Sequence, residues 1–217
     1  MSFDALAPHY RWMEFVLAGN KLQRCRIAFL ARVAGARNVL ILGEGNGRFL
    51  TACCRALPTA RITCIDGSAA MLTHARDRLR RQGLALERIE FVHADALVWP
   101  PPQAGFDLVV THFFLDCFSA DELSRLIATI TKAATREAAW LIADFQVPPG
   151  GLSRFRALAT HRLMYLFFRA AAGLSARTLV NPDHFLQTHG FVLRARQVTE
   201  WGLLRTDWWV REANPTG

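Results

Sequence analysis

Two rhythms of apolar and polar residues alternate along this chain. Short runs rich in Val, Ile and Leu predict strands buried on both faces. Between them, apolar residues recur every three or four positions, which predicts amphipathic helices. Strands are expected at Asn38–Leu42, Arg61–Ile65, Ile89–His93, Phe106–Thr111 and Ala138–Phe145. Helices are expected over Arg48–Leu57, ended by Pro58, over the stretch from the Ser68 cap to Arg81, stopped by Gly83, and over Ala120–Thr135. Such alternation predicts right-handed crossovers and an α/β fold with helices on both faces of a parallel sheet.

The rhythm changes near both ends. Residues 2–34 read as two helices split near Gly19-Asn20. After the Pro148-Pro149-Gly150-Gly151 loop, Leu152–Leu174 reads as one long helix or two short ones. Asn181 and Pro182 cap a further helix that stops at Gly190. Phe191–Thr199 and Leu203–Arg211 are strands separated only by Glu200, Trp201 and Gly202, a gap that permits an antiparallel hairpin alone. Trp201, Trp208 and Trp209 are expected to pack on the sheet face.

Composition narrows the class. Hydrophobic residues are 52% of the 217 and charged residues 20%, enough for one sizeable core and too apolar for wholesale disorder. No apolar run reaches the ~18 residues of a membrane span. The start of the chain carries Asp4 and Glu14 and lacks the pattern of a secretory signal. Five cysteines with no CxxC pair argue against a disulfide framework or a metal site and for a reducing, cytoplasmic setting. The net charge of +8, almost all of it arginine, favours an anionic partner: a phosphate-bearing or acidic substrate, a membrane surface or RNA. Arg76, Arg78, Arg80 and Arg81 read as a solvated helix face.

The segment after the first strand is the most informative. Gly43, Gly45 and Gly47 follow the apolar run at every second position and lead into a helix. Such a turn lets a ligand approach the backbone and meet the positive end of the helix. A dinucleotide fingerprint would need glycine at position 48, where Arg48 stands, so NAD and FAD are disfavoured. Asp66 ends the second strand, where a carboxylate can accept both ribose hydroxyls of a nucleoside. Asp95 follows the third strand, placed to accept from the exocyclic amine of adenine, and Met71 is a candidate to pack on the adenine face.

Together these segments resemble the class I S-adenosylmethionine-dependent methyltransferases. The resemblance runs over residues 38–145: VLILGEGNG, CIDGSAAML, VHADAL, FDLVVTHFFLDCF and LIADF. It implies a Rossmann-like seven-stranded sheet, mostly parallel with an antiparallel C-terminal hairpin. It implies a helical cap over the active site at residues 1–36, and a methyltransferase domain at 37–217 with a helical insert at about 150–180. It implies S-adenosylmethionine as cofactor and S-adenosylhomocysteine as product. The cofactor-facing residues would be Gly43, Glu44, Gly45, Asn46, Gly47, Asp66, Gly67, Met71, Asp95, Ala96 and Thr111. The family usually carries an acidic residue where Ile41 stands, and Glu44 is expected to take over the contact to the cofactor's ammonium group. More loosely, the layout looks like the branch that methylates ubiquinone and menaquinone precursors: Phe3 and His9-Tyr10 near the start, an insert after strand five, and Gly190-Phe191 before strand six.

The acceptor would meet the cofactor at the ends of strands four and five. His112 and Asp116 are the candidate catalytic groups, with Asp144 a third. Phe113 and Phe114 would wall a flat acceptor. The Asn/Asp-Pro-Pro-aromatic signature of base methylation is missing, which disfavours nucleic acid. The 152–177 insert reads either as a lid with peripheral membrane contact through its arginines or as helices packed on the sheet. The function expected is methylation of a small, apolar or aromatic molecule. RNA methylation and a catalytically silent, cofactor-binding partner subunit are the alternatives.

Overall fold

The computed structural model describes residues 20–148, 150 and 179–212. The first N-terminal helix and the 152–174 helices lie outside them. Strands β1 (Asn38–Leu42), β2 (Arg61–Asp66), β3 (Ile89–His93), β4 (Phe106–His112), β5 (Ala134–Phe145), β6 (Phe191–Thr199) and β7 (Leu204–Arg211) form one sheet. Their order is β3-β2-β1-β4-β5-β7-β6. The first five strands run parallel, and β7 inserts antiparallel between β5 and β6. Helices α1 (Asn20–Ile27), α2 (Arg48–Ala56), α3 (Ala69–Arg81), α4 (Ala120–Ala133) and α5 (Asp183–Thr188) cover its two faces.

Successive residues of each parallel strand feed opposite layers, as the pleat requires. Val39 and Ile41 join α2 and α3 on one side, with Phe49, Leu50, Cys53, Leu72 and Leu79. Leu40 and Leu42 join α4 and α5 on the other, with Leu126, Ile130, Trp140, Leu186 and Trp209. This double burial explains why the strands read as continuous apolar runs.

The expected caps form. Ser68 Oγ accepts from the Met71 N–H at the start of α3. Ser119 and Glu122 exchange the reciprocal bonds of a capping box at the start of α4. Strand β5 starts at Ala134 rather than Ala138, because α4 passes directly into it and Ala134 pairs with Phe106 before a register shift. Trp201 departs from expectation: it is 78% exposed. It sits at the hairpin turn, where Glu200 and Trp201 adopt φ of +53° and +60°, and this left-handed bend turns the indole out of the sheet. Trp209 is fully buried and Trp208 partly so.

Candidate functional site

The glycine turn is shaped by two close approaches. Gly43 and Gly47 have φ of +68° and +81°. A Cβ on Gly43 would collide with the Phe114 ring, and one on Gly47 would lie 2.7 Å from Ala75 Cα. Glycine is thus required both by conformation and by the elements that crowd the turn, the β4–α4 loop on one side and α3 on the other.

Asp66 joins this turn to the neighbouring strand. Its Oδ2 accepts from the Gly45 N–H at 3.0 Å and its Oδ1 from the Ser68 N–H at 2.9 Å. One carboxylate therefore bridges the ends of β1 and β2 and the entry to α3. The Ala94 N–H donates to the Asp66 carbonyl at 3.2 Å, drawing the end of β3 to the same rim. Gly67 lies there as well, its carbonyl 3.2 Å from His93 Nε2. Met71 and Ala96 are buried beside it, and Asp95 is exposed, with Oδ1 accepting from the Leu97 N–H at 2.9 Å. Asn46 is buried within the turn, and its carbonyl accepts from Arg78 Nε at 2.8 Å. Arg78 is thus half-buried and braces the loop, unlike the exposed Arg80 and Arg81 with which its spacing groups it.

Two predicted cofactor residues are engaged elsewhere through their side chains. Glu44 turns toward the first turn of α2, where Oε1 accepts from the Leu50 N–H at 2.9 Å. Burial raises its carboxyl to about 7, against the opposing pull of the Leu50 and Phe49 N–H groups and the Arg26 guanidinium. Thr111 is fully buried, and its hydroxyl accepts from Trp140 Nε1 at 2.9 Å. Its side chain belongs to the core.

At the acceptor end the structure separates the two predicted catalytic residues. His112 is 7% exposed and stands on the α2 side of the sheet, with its ring edge-on to Phe49 at 4.5 Å. Among the described residues neither ring nitrogen has a hydrogen-bond partner. Burial, assisted by the Arg26 charge, holds its pKa well below the ordinary value, so the imidazole is neutral. Asp116 instead faces Asp144 at the end of β5 and is hydrogen-bonded to it. Asp144 is 2% exposed, and its Oδ1 accepts from the Phe145 N–H at 3.0 Å. Burial pushes both carboxyls up; the Asp116 charge adds to the rise at Asp144, and Arg205 opposes it.

Aromatic rings frame this end. Phe113 lies 5.1 Å from Phe145, with the Arg26 guanidinium 5.1 Å from its centroid, and Phe114 lies 5.0 Å from Phe118. Phe113 itself has φ of +53°, a strained bend immediately after β4.

Behind Asp144 lies a charge network that residue spacing did not reveal. Arg196 makes paired hydrogen bonds to Asp207 at 2.6 and 2.8 Å and to Asp183 at 2.9 Å. Arg205, opposite Asp144 across β5–β7, donates to Asn181 at 3.0 Å and to Asp183 at 3.2 Å. The available signal was Arg205 and Asp207 two apart on one face of a strand that also carries Trp208, Trp209 and Val210, which predicts buried partners.

Burial pushes the thiols of Cys53, Cys54, Cys64 and Cys117 up, as fits small core residues rather than nucleophiles. Among the described residues no cluster of His, Cys, Asp and Glu has the geometry of a metal site, and no helix is long and apolar enough to cross a membrane. The expected lid or membrane contact over 152–177 falls outside the described residues.

A family described as a methyltransferase domain matches residues 39–137. The ubiquinone/menaquinone biosynthesis C-methyltransferase UbiE of Ectopseudomonas oleovorans is 33% identical over 139 residues, covering 62% of this chain and 81% of that protein. The protein of the same name from Pseudomonas putida (strain GB-1) is 33% identical over 155 residues, 69% of this chain, and the match spans 59% of its length. Among solved structures, the N-methyltransferase NodS from Bradyrhizobium japonicum WM9, in complex with S-adenosylhomocysteine, aligns at a TM-score of 0.68 and 16% identity. That alignment covers 97% of this chain and 100% of NodS and speaks to the fold.

Proposed function

This chain belongs to the class I S-adenosylmethionine-dependent methyltransferases, and from that premise we propose that it methylates a small apolar or aromatic acceptor. The hydrogen bond from the Gly45 N–H to Asp66 carries the reading, because it joins the turn and the carboxylate in one cradle. The residues fit an adenosyl sulfonium. Gly43 and Gly47 let the turn fold tightly against Phe114 and Ala75, which sets the course of the backbone that would meet the ligand. An ionised carboxylate offers about four lone-pair sites, so Asp66 can accept from ribose hydroxyls while it accepts from the Gly45 and Ser68 N–H groups. Met71, Ala96 and Asp95 would line the rim on which the base rests. The bare nitrogens of His112 offer a donor and an acceptor on the β4 side.

Bound there, the cofactor supplies an electrophilic methyl group. The chain's own part is to orient, to exclude water and to hold a proton. Asp66 would grip the ribose hydroxyls, and Asp95 the adenine amine. The Phe113 and Phe114 rings would wall off the acceptor, with Asp116 at its margin. Phe114 also abuts Gly43, so the wall of the acceptor space touches the cofactor turn.

Titration calorimetry with S-adenosylhomocysteine tests the reading. One site is expected in the wild type, and Asp66→Ala should weaken it at least tenfold while melting within a few degrees of the parent. Wild-type protein that binds no S-adenosylhomocysteine refutes the assignment.

A further inference from the structure

Asp144 is a buried carboxyl to which the mechanism above gives no task. It lies at the end of β5, hydrogen-bonded to Asp116, with Arg205 opposite on β7. The surroundings of the two acids differ. Asp144 is nearly inaccessible, whereas Asp116 is half-buried in the segment that follows β4, two residues after Phe114. Cys117 Sγ stands 3.5 Å from Asp116 Oδ1 as a weak donor. Among the described residues, the charged and titratable groups facing the pair are Cys117 from the loop and Arg205 from β7. Arg205 is shared with Asp183 and Asp207. Two carboxylates in contact at such burial do not both ionise; one keeps its proton.

Building on the reading of this site as a methyl-transfer pocket, we propose that Asp144 keeps its proton and shares it in a hydrogen bond to Asp116, which stays charged and accepts a proton from a ring hydroxyl of the acceptor. Asp144 is then a positioning residue and Asp116 the catalytic base. The balance is simple. The acceptor O–H bond breaks, and its proton passes to the Asp116 carboxylate. The acceptor forms the new bond to the methyl carbon, and the electron pair of the broken carbon–sulfur bond stays on sulfur. Whether the oxygen or its ring carbon takes the methyl group, one proton leaves the acceptor. The aromatic walls favour a flat ring. A carboxylate strengthened by burial is matched to a phenolic hydroxyl, whose pKa lies near 10, and not to an aliphatic alcohol.

Two readouts test this. Carbon-13 aspartate NMR of the complex with S-adenosylhomocysteine should show two separated steps, one near 6 for Asp116 and one well above it. Asp144→Asn, whose amide still donates, should keep the lower step and delete the upper. Asp144→Ala should move the lower step upward. Turnover of 4-nitrocatechol should fall about 10²–10⁴-fold in Asp116→Asn, with S-adenosylhomocysteine affinity within threefold of the parent. Its kcat/KM should rise through the lower step in the wild type and in Asp144→Asn, and at higher pH in Asp144→Ala. Two carboxyls titrating independently in the ordinary range overturn the proposal. So does Asp116→Asn at parental turnover, or a wild type that binds S-adenosylhomocysteine but leaves 4-nitrocatechol unmethylated. Loss of S-adenosylhomocysteine binding in the wild type defeats the underlying reading instead.

Discussion

At the ends of β1 and β2 the site is held by main-chain hydrogen bonds; at the ends of β4, β5 and β7 it is held by charged side chains. Gly45 and Ser68 donate from the backbone to Asp66, and Asn46 accepts through its carbonyl from Arg78. Across the sheet, Asp116, Asp144, Arg205, Asp183, Asp207 and Arg196 form a run of ionisable side chains that leads from the buried Asp144 out to the surface at Arg196. The contrast has a physical basis. A backbone cradle presents a fixed shape and tolerates little change in residue size. A side-chain network can differ in composition while the strands beneath it stay the same. A cofactor common to a family suits the first construction, and an acceptor particular to one enzyme suits the second.

The largest disruption should come from the charged half. Asp207 is fully buried and holds Arg196 through two hydrogen bonds, so Asp207→Ala leaves Asp183 to serve both Arg196 and Arg205. A loss of about 3–5 kcal/mol is expected by chemical denaturation, because the deeply buried member of the charge network is the one removed. The remaining folded protein should bind S-adenosylhomocysteine within threefold of the parent, since the cradle lies elsewhere. Strong loss of affinity would show that the two ends are not separable.

Gly47→Ala strikes the other half. It forces a side chain at φ of +81° and brings a Cβ to 2.7 Å from Ala75 Cα. Left-handed strain and overpacking together should cost about 2–4 kcal/mol, with S-adenosylhomocysteine affinity down more than tenfold. Parental affinity in calorimetry would mean that the turn does not shape the cofactor site.

The smallest effect is a pH slope. Burial raises Glu44 from its ordinary value of 4.5 to about 7, so between those values the folded state holds a proton that the unfolded chain has released. Stability contributed at Glu44 is therefore full below about 4.5 and lost as pH rises toward 7. Asp116 and Asp144 act in the same direction. Glu44→Gln, which retains an acceptor for the Leu50 N–H, should flatten part of the fall in melting temperature between pH 5 and 7. An unchanged slope would remove Glu44 from the account.

Much of the cofactor half was legible because its signals are local. An apolar run, a glycine turn and an acid at the next strand end each declare themselves within a few residues. Ser68 capping α3 and the hairpin of β6 and β7 are local in the same sense. Where local signals compete, boundaries moved: α4 runs into β5, so the strand begins at Ala134. Trp201 looked like a sheet residue by type, but a left-handed turn exposes it. Arg78 looked like its helix neighbours, but only Arg78 reaches the Asn46 carbonyl.

Hydrophobic period and turn chemistry were enough to specify which segments become strands, how they alternate with helices, and that the glycine turn and Asp66 would lie at neighbouring strand ends. They act through neighbours in the chain, and so can be read from it. The pairing of Asp116 with Asp144, the turning of Glu44 onto α2 and the separation of His112 from Asp116 depend on strand order and on which face each residue occupies. Those contacts join positions far apart in the chain, and their strength comes from the exclusion of water, which only the packed fold creates.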